Sequence, residues 1–340
     1  MPTPRGLVQR LDQLLHQQTW LPPKARLLVA CSGGADSMAL LHLLCAVNQS
    51  QHWQWRLVVG HVEHGQRGRH SVTDAKFVQR VARELGLKYV EKRLRLPTGS
   101  SENILRAARR QALGQLARSS RCARVVMAHH GDDQAETVLM RLMRGTGLRG
   151  LGAMRPVTRM GKVTLVRPLL GQTRAELRAW LTAQGHTWRE DASNLSPRYL
   201  RNRVRADLVP MLMEMNPQLV PALGRLAQHC REGHAVVQRR AQAYLAKYPP
   251  RWRGRGWVCV GPLARQLPAV RKWVLRLLLK KTGLGEDQVD SGQIAQVERA
   301  LQRGGKATQV QFAQGRMMAV QGETLRVGVQ RRKSSARAGG

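Results

Sequence analysis

Paired cysteines, long apolar runs and acidic residues are all scarce in this chain, and each shortage removes a class of protein. The five cysteines, Cys31, Cys45, Cys122, Cys230 and Cys259, are widely spaced, and no two form a C-x-x-C pair. An odd, scattered set in 340 residues is neither a disulfide framework nor a zinc ribbon and reads as reduced, intracellular thiols. No apolar run approaches the roughly 18 residues of a membrane span. Met1 to Leu15 is interrupted by Arg5, Arg10 and Asp12, so it lacks the apolar centre of a secretory signal. A cytoplasmic protein that does not enter a membrane is expected. Only 21 Asp+Glu stand against 57 Lys+Arg, a formal net charge of +36. Such an excess points to a polyanionic partner, because each neutralised phosphate releases condensed counterions, and nucleic acid is the expected one.

What is present is a rhythm. Leu27 to Ala30, Trp55 to His61, Lys88 to Lys92 and Ala123 to Ala128 read as strands. Helical patterns follow over Met38 to Ala46, from Ser71 with Asp74 as an approximate capping box, over Glu102 to Leu116 and over Asp132 to Met143. Strands alternating with helices in this way predict βαβ units and a doubly wound parallel sheet, an α/β fold whose ligands bind at the carboxyl ends of the strands. An extended Val163 to Pro168 and a helix capped by Thr173 and Glu176 come next. A long helix runs from Asn216-Pro217 to about Lys247, where Pro249 and Pro250 stop it. From Trp257 the pattern is that of a small α+β unit, with helices over Ala269 to Lys281 and Gln288 to Gln302 and a meander over Thr308–Phe312, Met317–Val320 and Thr324–Val329. The domains expected are 1–210, a helical linker over 211–250, the α+β unit over 251–330 and a disordered basic tail over 331–340.

Four clusters carry chemistry. Cys31-Ser32-Gly33-Gly34-Ala35-Asp36-Ser37 lies between the first strand and its helix, where free N–H groups and a positive helix end suit a phosphate. It is neither Walker A nor a dinucleotide fingerprint. His61 and His64 end the second strand, three apart and without a third ligand nearby, so a histidine hydrogen-bonded near a nucleotide is expected over a zinc site. Glu102, Arg106 and Arg109 share one helix face. His129, His130, Asp132, Asp133 and Glu136 surround the start of the next helix, more acid than helix capping requires. A Mg²⁺ carried by ATP phosphates, or the ammonium of an amine substrate, would suit these carboxylates.

The first cluster resembles the Ser-Gly-Gly-x-Asp-Ser loop of the PP-loop ATP pyrophosphatases, Rossmann-like enzymes that leave AMP on an acceptor oxygen. His129-His130-x-Asp132-Asp133-Gln134-x-Glu136-Thr137, then Arg144 to Leu148, Gly150 to Met154, Arg167 to Leu170, Glu190-Asp191-x-Ser193-Asn194 and Arg201-Asn202-x-x-Arg205, resembles the tRNA(Ile)-lysidine synthetases in correct order from about residue 25 to 210. Glu63, Gln66 and Arg110 stand where that family usually has Asn, Leu and Tyr, and the C-terminal portion resembles its substrate-recognition domain only loosely. The resemblance implies that ATP adenylates oxygen 2 of the wobble cytidine in tRNA(Ile) with a CAU anticodon, and that free L-lysine then displaces AMP. It implies that Ser32, Gly33, Gly34, Ala35, Asp36, Ser37 and His61 hold ATP, with Asp36 towards Mg²⁺. Asp132, Asp133 and Glu136 would bind and help deprotonate the lysine ammonium, and Arg106 and Arg109 would steady the α-phosphate. His129 and His130 serve as base or as scaffold. Arg201, Arg203 and Arg205, with the helical linker and the α+β unit, would grip tRNA, and a homodimer is implied. The competing expectations are a tRNA thiolase of the 2-thiocytidine type, which needs paired cysteines, an amidotransferase-type synthetase, which needs a glutaminase domain or partner, and a tRNA-binding protein without catalysis.

Overall fold

A computed structural model of the chain describes residues 4–49, 52–63, 69–97, 99–190, 200–253, 256–285, 288–303 and 307–329. It divides into two compact units, Met1–Cys230 and Arg231–Gly340.

The first unit runs α1 (Pro4–Gln18), β1 (Arg26–Ala30), α2 (Ala35–Asn48), β2 (Arg56–Glu63), α3 (Arg69–Glu84), β3 (Lys88–Arg93), α4 (Glu102–Ser119), β4 (Arg124–Val126), α5 (Gly131–Met143), α6 (Leu148–Leu151), β5 (Val157–Met160), β6 (Val163–Val166), α7 (Arg174–Ala183), α8 (Leu200–Arg203), α9 (Val209–Met215) and the first part of α10 (Leu219–Lys247). The strands form one sheet in the order β3-β2-β1-β4-β6-β5, parallel throughout except for β5, which pairs antiparallel with β6 at the edge. Both faces are covered, which is why β1 reads as an unbroken apolar run. Leu27 and Val29 pack with Leu40, Leu44, Val78 and Leu177 on one side, while Leu28 and Ala30 pack with Leu113, Ala117, Val125 and Leu165 on the other. From β1 the order runs to β2 on one side and to β4 on the other. This reversal opens a crevice at the carboxyl ends of β1 and β4, the usual ligand position in such sheets.

The alternation of strands and helices therefore gave the expected doubly wound sheet, and Thr173 and Glu176 make their reciprocal capping box. Several local features differ from expectation. Helix α3 begins at Arg69, two residues before Ser71. Helix α1 was not anticipated; it buries Leu7, Leu11 and Leu15, spaced four apart on one face. Strand β5 was also missed, joined to β6 by a tight turn with Gly161 at φ 59°.

The second unit contains the rest of α10, β7 (Arg251–Arg253), β8 (Gly256–Val260), α11 (Pro268–Lys281), α12 (Ser291–Arg303), β9 (Thr308–Phe312), β10 (Arg316–Gln321) and β11 (Thr324–Val329). Its antiparallel sheet has the order β7-β8-β11-β10-β9, so the expected three-stranded meander is extended by a β7–β8 hairpin at one edge. Val274, Leu278, Ile294, Val297, Met318 and Val327 form its core. The basic tail 331–340 lies outside the described residues.

Candidate active site

The glycine turn closes the end of β1. Gly33 has φ 91°, and a Cβ there would stand 3.3 Å from Val78 Cγ2, so both conformation and space favour glycine. Ser37 Oγ donates to the Gly34 carbonyl at 2.9 Å and accepts from the Ser32 N–H at 3.1 Å. With its proton so committed, Ser37 Oγ accepts from Ser32 Oγ at 3.2 Å. Both hydroxyls thus shape the turn, and the backbone N–H groups at the start of α2 remain as anion donors. The Arg189 N–H donates to the Gly33 carbonyl at 2.9 Å and pins the turn from outside. Beside it, His61 is buried with Nδ1 2.9 Å from the Cys31 carbonyl oxygen, and burial depresses its pKa. His64 lies outside the described residues.

The acidic cluster sits across the crevice, after β4, and its centre is a histidine. His130 is fully buried. Its Nε2 lies 3.3 Å from Asp36 Oδ2 and 3.5 Å from Asp133 Oδ2, and its Nδ1 lies 3.3 Å from Asp132 Oδ2. Burial alone would discharge the ring, but Asp133, Asp132 and Asp36 overcome it and raise the pKa to about 10. His129 behaves in the opposite way. Burial, with Arg167, Arg106 and Arg109 adding to it against Asp133, lowers its pKa to about 3. Near neutrality the two adjacent histidines therefore carry different charges.

The carboxylates are fixed by their own partners. Asp132 Oδ2 accepts from the Arg174 N–H at 2.7 Å, at the first residue of α7. Burial opposes ionisation of Asp132, but His130 and Arg174 hold its pKa below the ordinary value. Asp133 Oδ1 accepts from Arg201 Nη2 at 3.1 Å and from Arg205 Nη2 at 3.3 Å. Glu136 takes Arg201 Nε on Oε2 at 2.7 Å, Arg205 Nε on Oε1 at 2.6 Å and Arg205 Nη2 on Oε2 at 3.1 Å. Burial is costly to Asp133 too, but these cations and His130 keep it ionised well below the usual carboxylate range.

Arg201 and Arg205 are four apart, so they share one helix face and reach one carboxylate. Val204–Leu208 is π-helical, and the Val209 N–H donates to the carbonyl of Val204, five residues back. Arg203, between the two, is exposed and does not join the cluster.

The fold thus gathers Ser32 to Ser37, His61, Asp132, Asp133 and Glu136 around one crevice. Arg106 is exposed and Arg109 half-buried on α4; both act on His129 through their charge, and Arg109 also on His61. Glu102 lies in α4. Arg201 and Arg205 turn towards the acids. Among the described residues no group of three His, Cys, Asp or Glu has metal-ligand geometry. Asp36 Oδ1 is nevertheless buried without a hydrogen-bond partner, which fits one protein oxygen on an ion whose other ligands come with the nucleotide. Sequence reasoning did not find Arg174, whose partner is remote in the chain, and placed Gln134 in the motif around Asp132, Asp133 and Glu136 without giving it a role. The Gln134 amide donates to the Met154 carbonyl at 3.2 Å and accepts from its N–H at 2.9 Å.

The sheet order and the glycine turn define a nucleotide-binding PP-loop protein, and the model of the PP-loop domain family matches residues 5–212. A tRNA(Ile)-lysidine synthase of Thermosynechococcus vestitus is 38% identical over 247 residues, 71% of this chain and 70% of that protein. One of Synechococcus sp. is 35% identical, with 80% of this chain and 81% of that protein covered. The chain belongs to the tRNA(Ile)-lysidine synthase family. It spans about half the length of several other curated relatives, such as that of Geobacter sulfurreducens, 38% identical over 54% of its length. Among solved structures, a U34-tRNA thiolase from Methanococcus maripaludis superimposes with a TM-score of 0.56 at 18% identity, over 67% of this chain and 80% of that one, a likeness of fold.

Proposed function

We propose that this chain joins L-lysine to carbon 2 of the wobble cytidine of tRNA(Ile) bearing a CAU anticodon, using ATP and forming lysidine. The observation that carries the reading is the meeting of the glycine turn with the His130-centred carboxylates at the β1/β4 crevice, in a chain of this family. ATP phosphates would rest on the N–H groups of the turn and the start of α2. Cytidine oxygen 2 would attack the α-phosphorus and release pyrophosphate. The lysine ammonium would lose a proton to water by way of Asp132, and the neutral ε-amine would then attack carbon 2 and expel AMP, which leaves with cytidine oxygen 2.

Each side chain has a role in that sequence. Arg106 and Arg109 lie on the helix beside the turn, suited to charge developing on the α-phosphate. Asp36 is the residue that would hold Mg²⁺, which would neutralise phosphate charge when bound. Asp133 and Glu136 are committed to guanidinium groups, whereas Asp132 is 23% exposed, so Asp132 is the carboxylate suited to an entering ammonium. Only the neutral amine is a nucleophile. His130 is already protonated and His129 has too low a pKa, so neither serves as general base near neutrality. His130 acts as scaffold. The cysteines are dispersed and unpaired, which weighs against sulfur transfer.

The test mixes the chain with ATP, Mg²⁺ and labelled lysine and follows label into tRNA(Ile) with a CAU anticodon, with the CAU-bearing methionine tRNAs as controls. Label confined to the isoleucine tRNA and lost in Asp36→Ala is the expected result. ATP consumption without lysine transfer would overturn the choice of amine.

A further inference from the structure

Beside the glycine turn, β1 and β2 end at different heights. β1 is last paired with β2 at Ala30 and Gly60, and the Cys31 N–H donates to the Gly60 carbonyl at 2.9 Å before the chain turns away. β2 runs on through His61, Val62 and Glu63, which pair with Glu91, Lys92 and Arg93 of β3. Among the described residues no strand pairs with the opposite edge of Val62 and Glu63, so that edge borders the crevice, one strand spacing of about 4.8 Å to the side of β1. Side chains alternate along a strand, so Glu63 shares a face with His61, whose Nδ1 meets the Cys31 carbonyl oxygen at the start of the turn. The Glu63 side chain is 13% exposed, and its Oε1 is buried with no hydrogen-bond partner. Its Oε2 lies 3.5 Å from Nε of Arg93, a side chain 64% exposed, so this pair offsets little of the burial. Glu91, the other acid at this end of the two strands, is exposed and accepts from the Tyr89 hydroxyl at 2.7 Å.

A buried carboxylate oxygen without a donor is costly, and its retention calls for a donor that the chain itself does not supply. A nucleotide whose phosphates rest on the turn after β1 brings one. Its ribose follows the phosphates, carries hydroxyl donors and has no charge for an acid to repel. In dinucleotide-binding sheets, where phosphate also rests on the turn after the first strand, an acid further along the chain accepts from a ribose hydroxyl. We infer that Glu63 reads the ribose of the bound nucleotide, Oε1 accepting a hydrogen bond from a ribose hydroxyl. The inference rests on the proposed function for the identity of that nucleotide as ATP.

The test is calorimetric titration of the full chain, without tRNA or lysine, with ATP, 2′-deoxy-ATP, 3′-deoxy-ATP and inosine triphosphate in Mg²⁺. In the unaltered chain at least one deoxy analogue should bind about tenfold more weakly than ATP, the lower end for a hydrogen bond to a charged group. Glu63→Met, of similar length and without an acceptor, should weaken ATP by about the same factor and leave that analogue unchanged, so that the two losses do not add. Glu63→Gln keeps a neutral oxygen and should retain part of the preference for ATP. Equal binding of ATP and both deoxy analogues by the unaltered chain would overturn the inference, whether or not the variants fold. So would a preference that survives in Glu63→Met, which would place the hydroxyl elsewhere. A Glu63-dependent loss seen with inosine triphosphate and with neither deoxy analogue would move the contact to the 6-amino group of the base and overturn it as well. Lysine transfer is read in parallel. If transfer fails in the unaltered chain while the Glu63-dependent preference persists, the proposed reaction falls and the ribose contact stands.

Discussion

Arg205 grips Glu136 side-on, Nε to Oε1 at 2.6 Å and Nη2 to Oε2 at 3.1 Å, and the carboxylate it holds is almost wholly buried. The same Glu136 is bound by Arg201, so one buried acid fixes two guanidinium groups. Removing it leaves both cations with Asp133 as their remaining acidic partner. Glu136→Ala should cost about 3–5 kcal/mol of stability, the usual penalty for breaking a buried ion pair from one side. Urea unfolding measures it. Arg203→Ala, at an exposed position on the same helical stretch, should lie within about 0.5 kcal/mol of the parent.

The two histidines predict stability limbs of opposite sign. His130 has its folded pKa raised from 6.5 to about 10, so its contribution is fully present below pH 6.5 and is lost as the pH rises towards 10. His129 has its folded pKa lowered from 6.5 to about 3, so its contribution is present above pH 6.5 and is lost as the pH falls towards 3. Unfolding free energies measured across pH should show the alkaline limb flattened in His130→Gln and part of the acid limb flattened in His129→Gln. Asp132 and Asp133, with their depressed pKa values, add to the acid limb.

Gly33→Ala should impair nucleotide binding more than folding. The new methyl group meets φ 91° and Val78 Cγ2 at 3.3 Å, a backbone penalty of about 1–2 kcal/mol. Relaxing that strain moves the N–H groups offered to phosphate. Calorimetric titration with ATP should show a loss of at least tenfold, alongside a modest shift in the unfolding midpoint.

Gln134 is 2% exposed and holds both backbone polar groups of Met154, while Arg141 Nη1 donates to the carbonyls of Gly150 at 2.7 Å and Ala153 at 3.3 Å. Gln134→Ala should cost about 1–3 kcal/mol, because the amide partners are left unpaired. Hydrogen exchange at the Met154 amide should accelerate well beyond that of β1 amides.

The parts of this fold legible in the sequence were those whose cause is local. Two glycines between Ala30 and Met38 can be read from neighbours, as can the Thr173–Glu176 capping box and the apolar continuity of β1, which records a strand covered on both faces. The geometry of the acidic cluster is not local. Arg201 and Arg205 meet Glu136 across 65 and 69 residues, and nothing in either stretch marks the partner. The charge on His130 depends on Asp133 and Asp132 and also on Asp36, which follows β1, the neighbour of β4 in the sheet but distant from it in sequence. Strand β7 was hidden for another reason: three residues, Arg251-Trp252-Arg253, are too few to show alternation.

The π-turn at Val204–Leu208 has the effect of a slipped register. One extra residue in a helical turn displaces everything after it by about 100° around the axis relative to an unbroken α-helix. Excising a single residue there would leave Arg201 facing Glu136 while rotating the downstream helix, including Val209, which packs with Leu139. The insertion thus keeps Val209 on the apolar patch that Val204 already makes with Leu139, in a rod whose preceding turn presents Arg201 and Arg205 to Glu136.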